Sequence, residues 1–300
     1  MTETLTTAKS AQDEAESEYL RTFRPRLLDW NASKIFAIKN LRISIRYPSN
    51  WLIWAFMPVI WFAPFLLMAY AIAGSETSAY FTELSGFSDY VQFSVIGWFV
   101  YMFLDNSIWG IGNNFRWEQF SGTLEPLFST PVPRISILLG AAFSDSSLCV
   151  INAFTLLIIS MLLFGVSYSL VAILPTVIIL LVMVIALYGF GFMLAGLILV
   201  FKDPSVLTEL VSEATYMVSP VQYPIQALPT NVRFIAYLVP TTLGILTIRE
   251  IAITGIFDLL SFVQVLGGIG LLAIIFWALG IASFKYAEKW TRMRGHMGGF

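Results

Sequence analysis

Six long apolar stretches separated by short polar segments constrain this chain more than any other feature. They cover residues 51–73, 91–112, 135–164, 169–201, 205–227 and 259–284. A helix needs roughly 20 apolar residues to cross a hydrocarbon layer of about 30 Å. Lipid offers no water to backbone polar groups, so a spanning segment must satisfy its own hydrogen bonds, and runs of this length do so as helices. Composition agrees: 57% of the 300 residues are hydrophobic and 12% are charged, where a soluble domain carries about a quarter charged residues. The expected fold class is an all-α integral membrane protein with six transmembrane helices between residues 51 and 284. The fifth run is the least apolar, because it holds Glu209, Glu213 and Pro220.

Charge arbitrates that fifth run. With a cytoplasmic N-terminus and six spans, fifteen of the 17 Lys and Arg residues lie on the cytoplasmic side, and only Arg233 and Arg249 lie outside. Omitting the fifth span would export Lys285, Lys289, Arg292 and Arg294, against the positive-inside rule. The first outer loop carries Glu76, Glu83 and Asp89 and no basic residue. The expectation is a multi-pass protein of the cell (inner) membrane with both termini cytoplasmic.

Ahead of the first span, residues 29–48 form an expected amphipathic helix. Ile38, Leu41 and Ile45 repeat at helical spacing, and Lys39, Arg42 and Arg46 follow about 100° further round. Such a helix suits the headgroup layer, although a solvated helix has the same pattern. Pro48 ends it. Residues 1–28 form a cytoplasmic tail expected to be disordered, acidic and Ser/Thr-rich over 1–20, and 285–300 form a second cytoplasmic tail. No cleavable signal peptide is expected in the polar first 50 residues. The formal charge of −2 gives no case for nucleic acid as a partner. Cys149 lies alone in an apolar run, His296 is the one histidine, and neither a metal site nor a catalytic constellation is expected.

The polar segment between the second and third spans is more organised than a simple connector. Asn113 or Asn114 can cap a short helix through Glu118, Gln119 and Phe120, and Gly122 can close it in the left-handed conformation. Thr123 to Glu125 can start a second turn, which Pro131 and Pro133 halt. The pattern Arg-x-Glu-x-x-x-Gly-Thr-Leu-Glu-x-Leu-x-x-Thr-Pro-Val, running from Arg116 to Val132, resembles the cytoplasmic loop of ABC-2 type permeases, the membrane subunits of a class of ATP-driven exporters. A second segment, Ser219 to Pro229 with Pro220, Tyr223 and Pro224, trailed by Pro240, Thr241 and Arg249, is similar to the family's stretch between the fifth and sixth helices. Pro126 departs from the pattern where the family helix more often continues.

The resemblance implies a cytoplasmic coupling helix at 116–126, seated in a cleft of a nucleotide-binding ATPase subunit. Arg116, Glu118, Gln119, Gly122, Thr123 and Glu125 would make that site. It further implies short re-entrant outer helices over 227–256, marked by Pro229 and Arg249, and a homodimer of two permeases with two ATPase subunits. This chain has no Gly-x-x-x-x-Gly-Lys-Ser/Thr loop for phosphates, so ATP and Mg would sit on the partner. The implied function is export of a drug, lipid or glycan-linked lipid.

Three carboxylates, Asp105, Asp145 and Glu213, fall about 10–15 Å deep from the cytoplasmic side at 1.5 Å per residue. Ionised groups there are costly. They are either hydrogen-bonded inter-helix glue with Asn106, Ser107, Ser144, Ser146 or Thr215 as partners, or a polar gate. Were they used for ion coupling, the chain would instead be a secondary carrier. Aromatics crowd the first two spans, including Trp54, Trp61, Trp98, Tyr101 and Trp109. They either face lipid, pack the core or line a pathway.

Overall fold

A computed structural model describes residues 28–73, 79–123, 126–127, 129–200 and 205–293. Almost all of the expected tail 1–28, the acidic Glu76 and Glu125, and the end of the 285–300 tail lie outside the described residues, as do the side chains of Arg116 and Gln119. Among the described residues ten α-helices follow in order: α1 Trp30–Arg46, α2 Pro48–Ala73, α3 Ala79–Ser85, α4 Tyr90–Phe120, α5 Arg134–Phe164, α6 Ile173–Val200, α7 Ser205–Val218, α8 Thr230–Tyr237, α9 Pro240–Thr254 and α10 Leu259–Met293. No strand occurs among the described residues.

By length and composition, α5, the stretch Leu170–Leu194 containing most of α6, and Leu259–Ala287 of α10 are fit to cross a membrane. The pair α8 and α9, bent by 92° at the break between them, would make a fourth crossing or a re-entrant loop. The chain is thus a multi-pass, all-α membrane protein. The six spans expected from sequence also include α2, α4 and α7, which length and apolarity alone do not establish. α7 has only 14 residues, about 21 Å of helix. Its helix stops at Val218, short of the expected 205–227, because Pro220 lacks an N–H and biases Ser219 away from helical geometry.

α4 is the central column. Its Ile96, Val100 and Leu104 pack with Ile179, Met183 and Leu187 of α6, Ile245 and Ile248 of α9 and Ile269 of α10. The most extensive packing joins α6 and α10. Two glycines let these helices touch: a Cβ at Gly280 would lie 2.6 Å from the Gly189 carbonyl oxygen and 3.0 Å from Phe192 Cβ. Between apolar helices in lipid, such close van der Waals contact replaces the hydrophobic drive. Outward faces carry Leu162, Leu163, Leu181 and Ile274, each more than 60% exposed, which fits a lipid-facing belt.

α1 is capped by Asp29, whose carboxylate accepts from the N–H groups of Asn31 and Ala32. It docks on α5 through Ser33 and Phe36, both buried, and the chain comes so close that a Cβ at Gly140 would lie 2.5 Å from the Ser33 carbonyl oxygen. The Ile38 and Ile45 stripe points elsewhere and is exposed. The helix therefore has one face, Ser33 and Phe36, for protein and a separate apolar face left open. Replacing Gly280 by Ala should push α6 and α10 apart and cost about 1–3 kcal/mol. This is read as earlier unfolding in an SDS titration, with Gly267→Ala, at an open position, as the control that leaves the transition unchanged.

Candidate coupling site and intramembrane cavity

α4 does not break at Asn113 or Asn114. The separately capped short helix expected from sequence is instead the last two turns of a 31-residue helix. The physical reason is that Asn114 spends its side chain across the bundle: its amide donates to the Asp145 carboxylate of α5 and to the Gly110 carbonyl oxygen. Its side-chain oxygen, the atom a cap would offer to backbone N–H groups, accepts from Asn40 of α1 instead.

The helix ends as the sequence reading places it. Gly122 has φ +69°, and the Thr123 N–H donates to the Glu118 carbonyl oxygen at 2.9 Å. This six-to-one bond across a left-handed glycine is a Schellman closure. The Thr123 hydroxyl also donates to the Glu118 carboxylate at 2.5 Å. The other carboxylate oxygen of Glu118 takes Lys39 of α1 in an ion pair. Glu118 is buried, so this charge is held rather than solvated. A new turn starts at once, with the Leu127 N–H donating to the Thr123 carbonyl oxygen at 3.1 Å. Pro126 fits there because the first turn of a helix needs no N–H from it. Leu127 and Val132 then pack on Phe36, Ile137 and Ala141, and the Asp29 N–H donates to Ser136 at 2.7 Å. The reversal is thus fastened to α1 and α5. Trp117 and Phe120 stand out from it, 67% and 78% exposed. Sequence reasoning missed the role of Lys39, because its partner lies 79 residues away.

The three deep carboxylates separate. Asp105 accepts from Ser212 of α7 at 2.7 Å, and Ser212 lies 3.3 Å from the Tyr101 hydroxyl. Asp145 pairs with Asn114, which in turn accepts from Asn40 of α1 at 3.2 Å. Neither carboxylate bonds Asn106 or Ser146. Those two instead donate to the Tyr188 hydroxyl, which donates to the Ala142 carbonyl oxygen. Glu213 is exposed on α7. Asp105 and Asp145 share one cavity of about 830 Å³ between α2, α4 and α5, walled by Trp54, Trp61, Trp98, Tyr101 and Trp109 and reaching Trp117 and Phe120 at the loop end.

The outer-segment residues gather round Arg249 of α9, which is 1% exposed. Its guanidinium donates to the carbonyl oxygens of Phe93, Pro220 and Val221 at 2.9–3.1 Å and lies 3.4 Å from the Phe93 ring centroid. No carboxylate pairs with it among the described residues. It satisfies the carbonyls that the break at Pro220 leaves free. Gly97 makes room, since a Cβ there would fall 1.8 Å from the Val221 oxygen. Tyr223 donates back to the Met217 carbonyl oxygen, Pro224 precedes the 3₁₀ turn Ile225–Ala227, and Pro229 precedes α8.

Two outcomes follow from this geometry. Glu118→Ala frees both Thr123 and Lys39, so hydrogen exchange at residues 121–123 should quicken about tenfold, with Lys39→Ala giving a smaller change in the same direction. Arg249→Met orphans buried carbonyls and should cost about 3 kcal/mol or more in an SDS unfolding titration, and Arg249→Lys should not rescue it, because a point donor cannot fork to separate acceptors.

No curated protein matches the chain. The model of the ABC-2 type transporter family matches residues 33–253, a stretch that begins in α1, includes the Gly122 reversal and ends in α9 beyond Arg249. The chain belongs to the ABC-2 type transporter family.

Proposed function

We propose that this chain, a permease subunit of an ABC-type transporter, works as an exporter driven by a separate nucleotide-binding subunit that docks on the Gly122 reversal. The observation that supports this reading is the fastening of that reversal through Glu118 to Lys39 and Thr123. A loop held to two helices transmits a push, whereas a loose one absorbs it. Glu118, Thr123 and Gly122 give the reversal its shape, the exposed Trp117 and Phe120 fill a groove on the partner, and Arg116, Gln119 and Glu125 supply polar contacts to it.

In this reading the partner holds ATP and Mg, and closure of two ATPase subunits drives two permease copies against each other in a two-plus-two complex. Six spans from α2, α4, α5, α6, α7 and α10 place both termini in the cytoplasm of a cell membrane, and α8 and α9 dip in from the outer face without crossing. The residues divide as a tail over 1–28, an interfacial helix over 29–48, the transmembrane domain over 51–284 and a tail over 285–300. Substrates of the drug, lipid or glycan-lipid kind leave between protomers.

The test is reconstitution with the candidate motor subunit. Substituting Phe120→Asp should abolish copurification of the motor and its lipid-dependent ATPase stimulation, while leaving the permease folded. Full stimulation by the Phe120→Asp chain would refute the docking assignment.

A further inference from the structure

We infer that the cavity between α2, α4 and α5 is a binding site for a cationic amphiphile, with an ammonium-type head set between Asp105 and Asp145 and an apolar body laid against indole rings. This names the substrate class of the permease reading and rests on it for its biological meaning, but binding itself requires neither nucleotide nor a motor.

The charge pattern comes first. Two carboxylates open into one space, and no Lys, Arg or His is among the described residues lining it. Each carboxylate has a hydrogen bond from a neutral side chain, Ser212 for Asp105 and Asn114 for Asp145. Neither donor carries a positive charge, so nothing on the described walls balances an ionised acid there. An arriving cation stabilises the ionised form of such an acid, which a neutral or anionic guest does not do.

The walls narrow the class further. Trp54, Trp61, Trp98 and Trp109 line the same space as the acids. Indole faces are the strongest aromatic partners of an organic cation, and they offer flat apolar area for the rest of the molecule. A small inorganic cation would want several oxygen ligands at close range, and no group of His, Cys, Asp and Glu among the described residues is placed to hold a metal ion.

A third observation points to a ligand independently of the acids. Asn152 Oδ1 and Trp98 Nε1 are both buried and have no hydrogen-bond partner, and both residues line this cavity. Buried polar atoms are ordinarily satisfied. Neither atom is open to the empty cavity, so a side-chain rotation on binding would bring the Asn152 oxygen to a guest N–H and the indole N–H to a guest oxygen or water. The volume of about 830 Å³ falls in the range of small-molecule sites. A second, overlapping chamber of about 680 Å³ shares Trp54, Asp145 and Asn152, so a long apolar tail has somewhere to go.

The experiment is equilibrium binding to the full chain in nanodiscs, with empty nanodiscs subtracted and without nucleotide. The probes are rhodamine 6G, a cation bearing N–H groups, and fluorescein, an anion on the same xanthene core. Rhodamine 6G should bind saturably and quench tryptophan emission, and fluorescein should not. Asp105→Asn and Asp145→Asn should each weaken rhodamine 6G by about tenfold. Trp54→Leu, at a half-exposed position, should weaken it by a few-fold without endangering the fold. Absence of saturable rhodamine 6G binding, equal binding of fluorescein, or undiminished binding by both Asn variants would overturn the inference. The cation-against-anion comparison needs no variant, so it stands even if an Asn variant fails to fold. Cation binding without any motor-stimulated ATPase would refute the permease mechanism alone; stimulated ATPase with no cation preference would refute the site alone.

Discussion

Glu118 closes the loop end of this molecule from two sides. One carboxylate oxygen takes the Lys39 ammonium and the other takes the Thr123 hydroxyl, while its backbone carbonyl completes the turn at Gly122. A single buried side chain therefore locks the end of α4, the reversal and α1 into one piece. Charge-assisted bonds of this kind are about twice as strong as neutral ones and are directional. The consequence is mechanical: displacement of the reversal must move the 31-residue α4 rather than bend a flexible loop.

That column then reaches everything else. α4 packs on α5, α6, α7 and α9, and its polar side chains meet partners on three of its neighbours: Asp105 with Ser212 on α7, Asn106 with Tyr188 on α6 and Asn114 with Asp145 on α5. Asn40 adjoins Lys39 on α1 and reaches Asn114. A continuous set of contacts thus runs from the Gly122 reversal to a carboxylate of the cavity. Such contiguity is spatial; a two-state element biased from both ends is what makes it energetic coupling. Elsewhere the bundle is held by backbone proximity, as at Gly189 and Gly280, and by Arg249 supplying the donors that the break at Pro220 lacks.

Much of this was legible in the chain. Period-3.6 patterning located α1, length and apolarity located α5, α6 and α10, and Gly122 marked the end of α4 because a left-handed turn there needs glycine. What failed to read locally is what depends on distant partners. Asn113 and Asn114 look like caps until Asp145 is brought alongside. The Ile38 and Ile45 stripe was readable as a face turned away from the protein, but the docking face of α1, Ser33 and Phe36, was not, because it depends on α5 offering Gly140 there. Arg249 reads as an outer-loop charge and lies buried, since the carbonyls it serves belong to residues 93, 220 and 221. Ser212, the partner of Asp105, is 107 residues away, and no local pattern carries that.

In the proposed function the Gly122 reversal is the stiff element through which another protein's nucleotide-driven motion enters the membrane bundle. Photo-cross-linking from residue 121 in the assembled complex is the decisive measurement. A nucleotide-sensitive cross-link to the ATPase subunit is expected. Cross-links to lipid alone, or labelling of residue 121 by an impermeant reagent from the far side of the membrane, would contradict it.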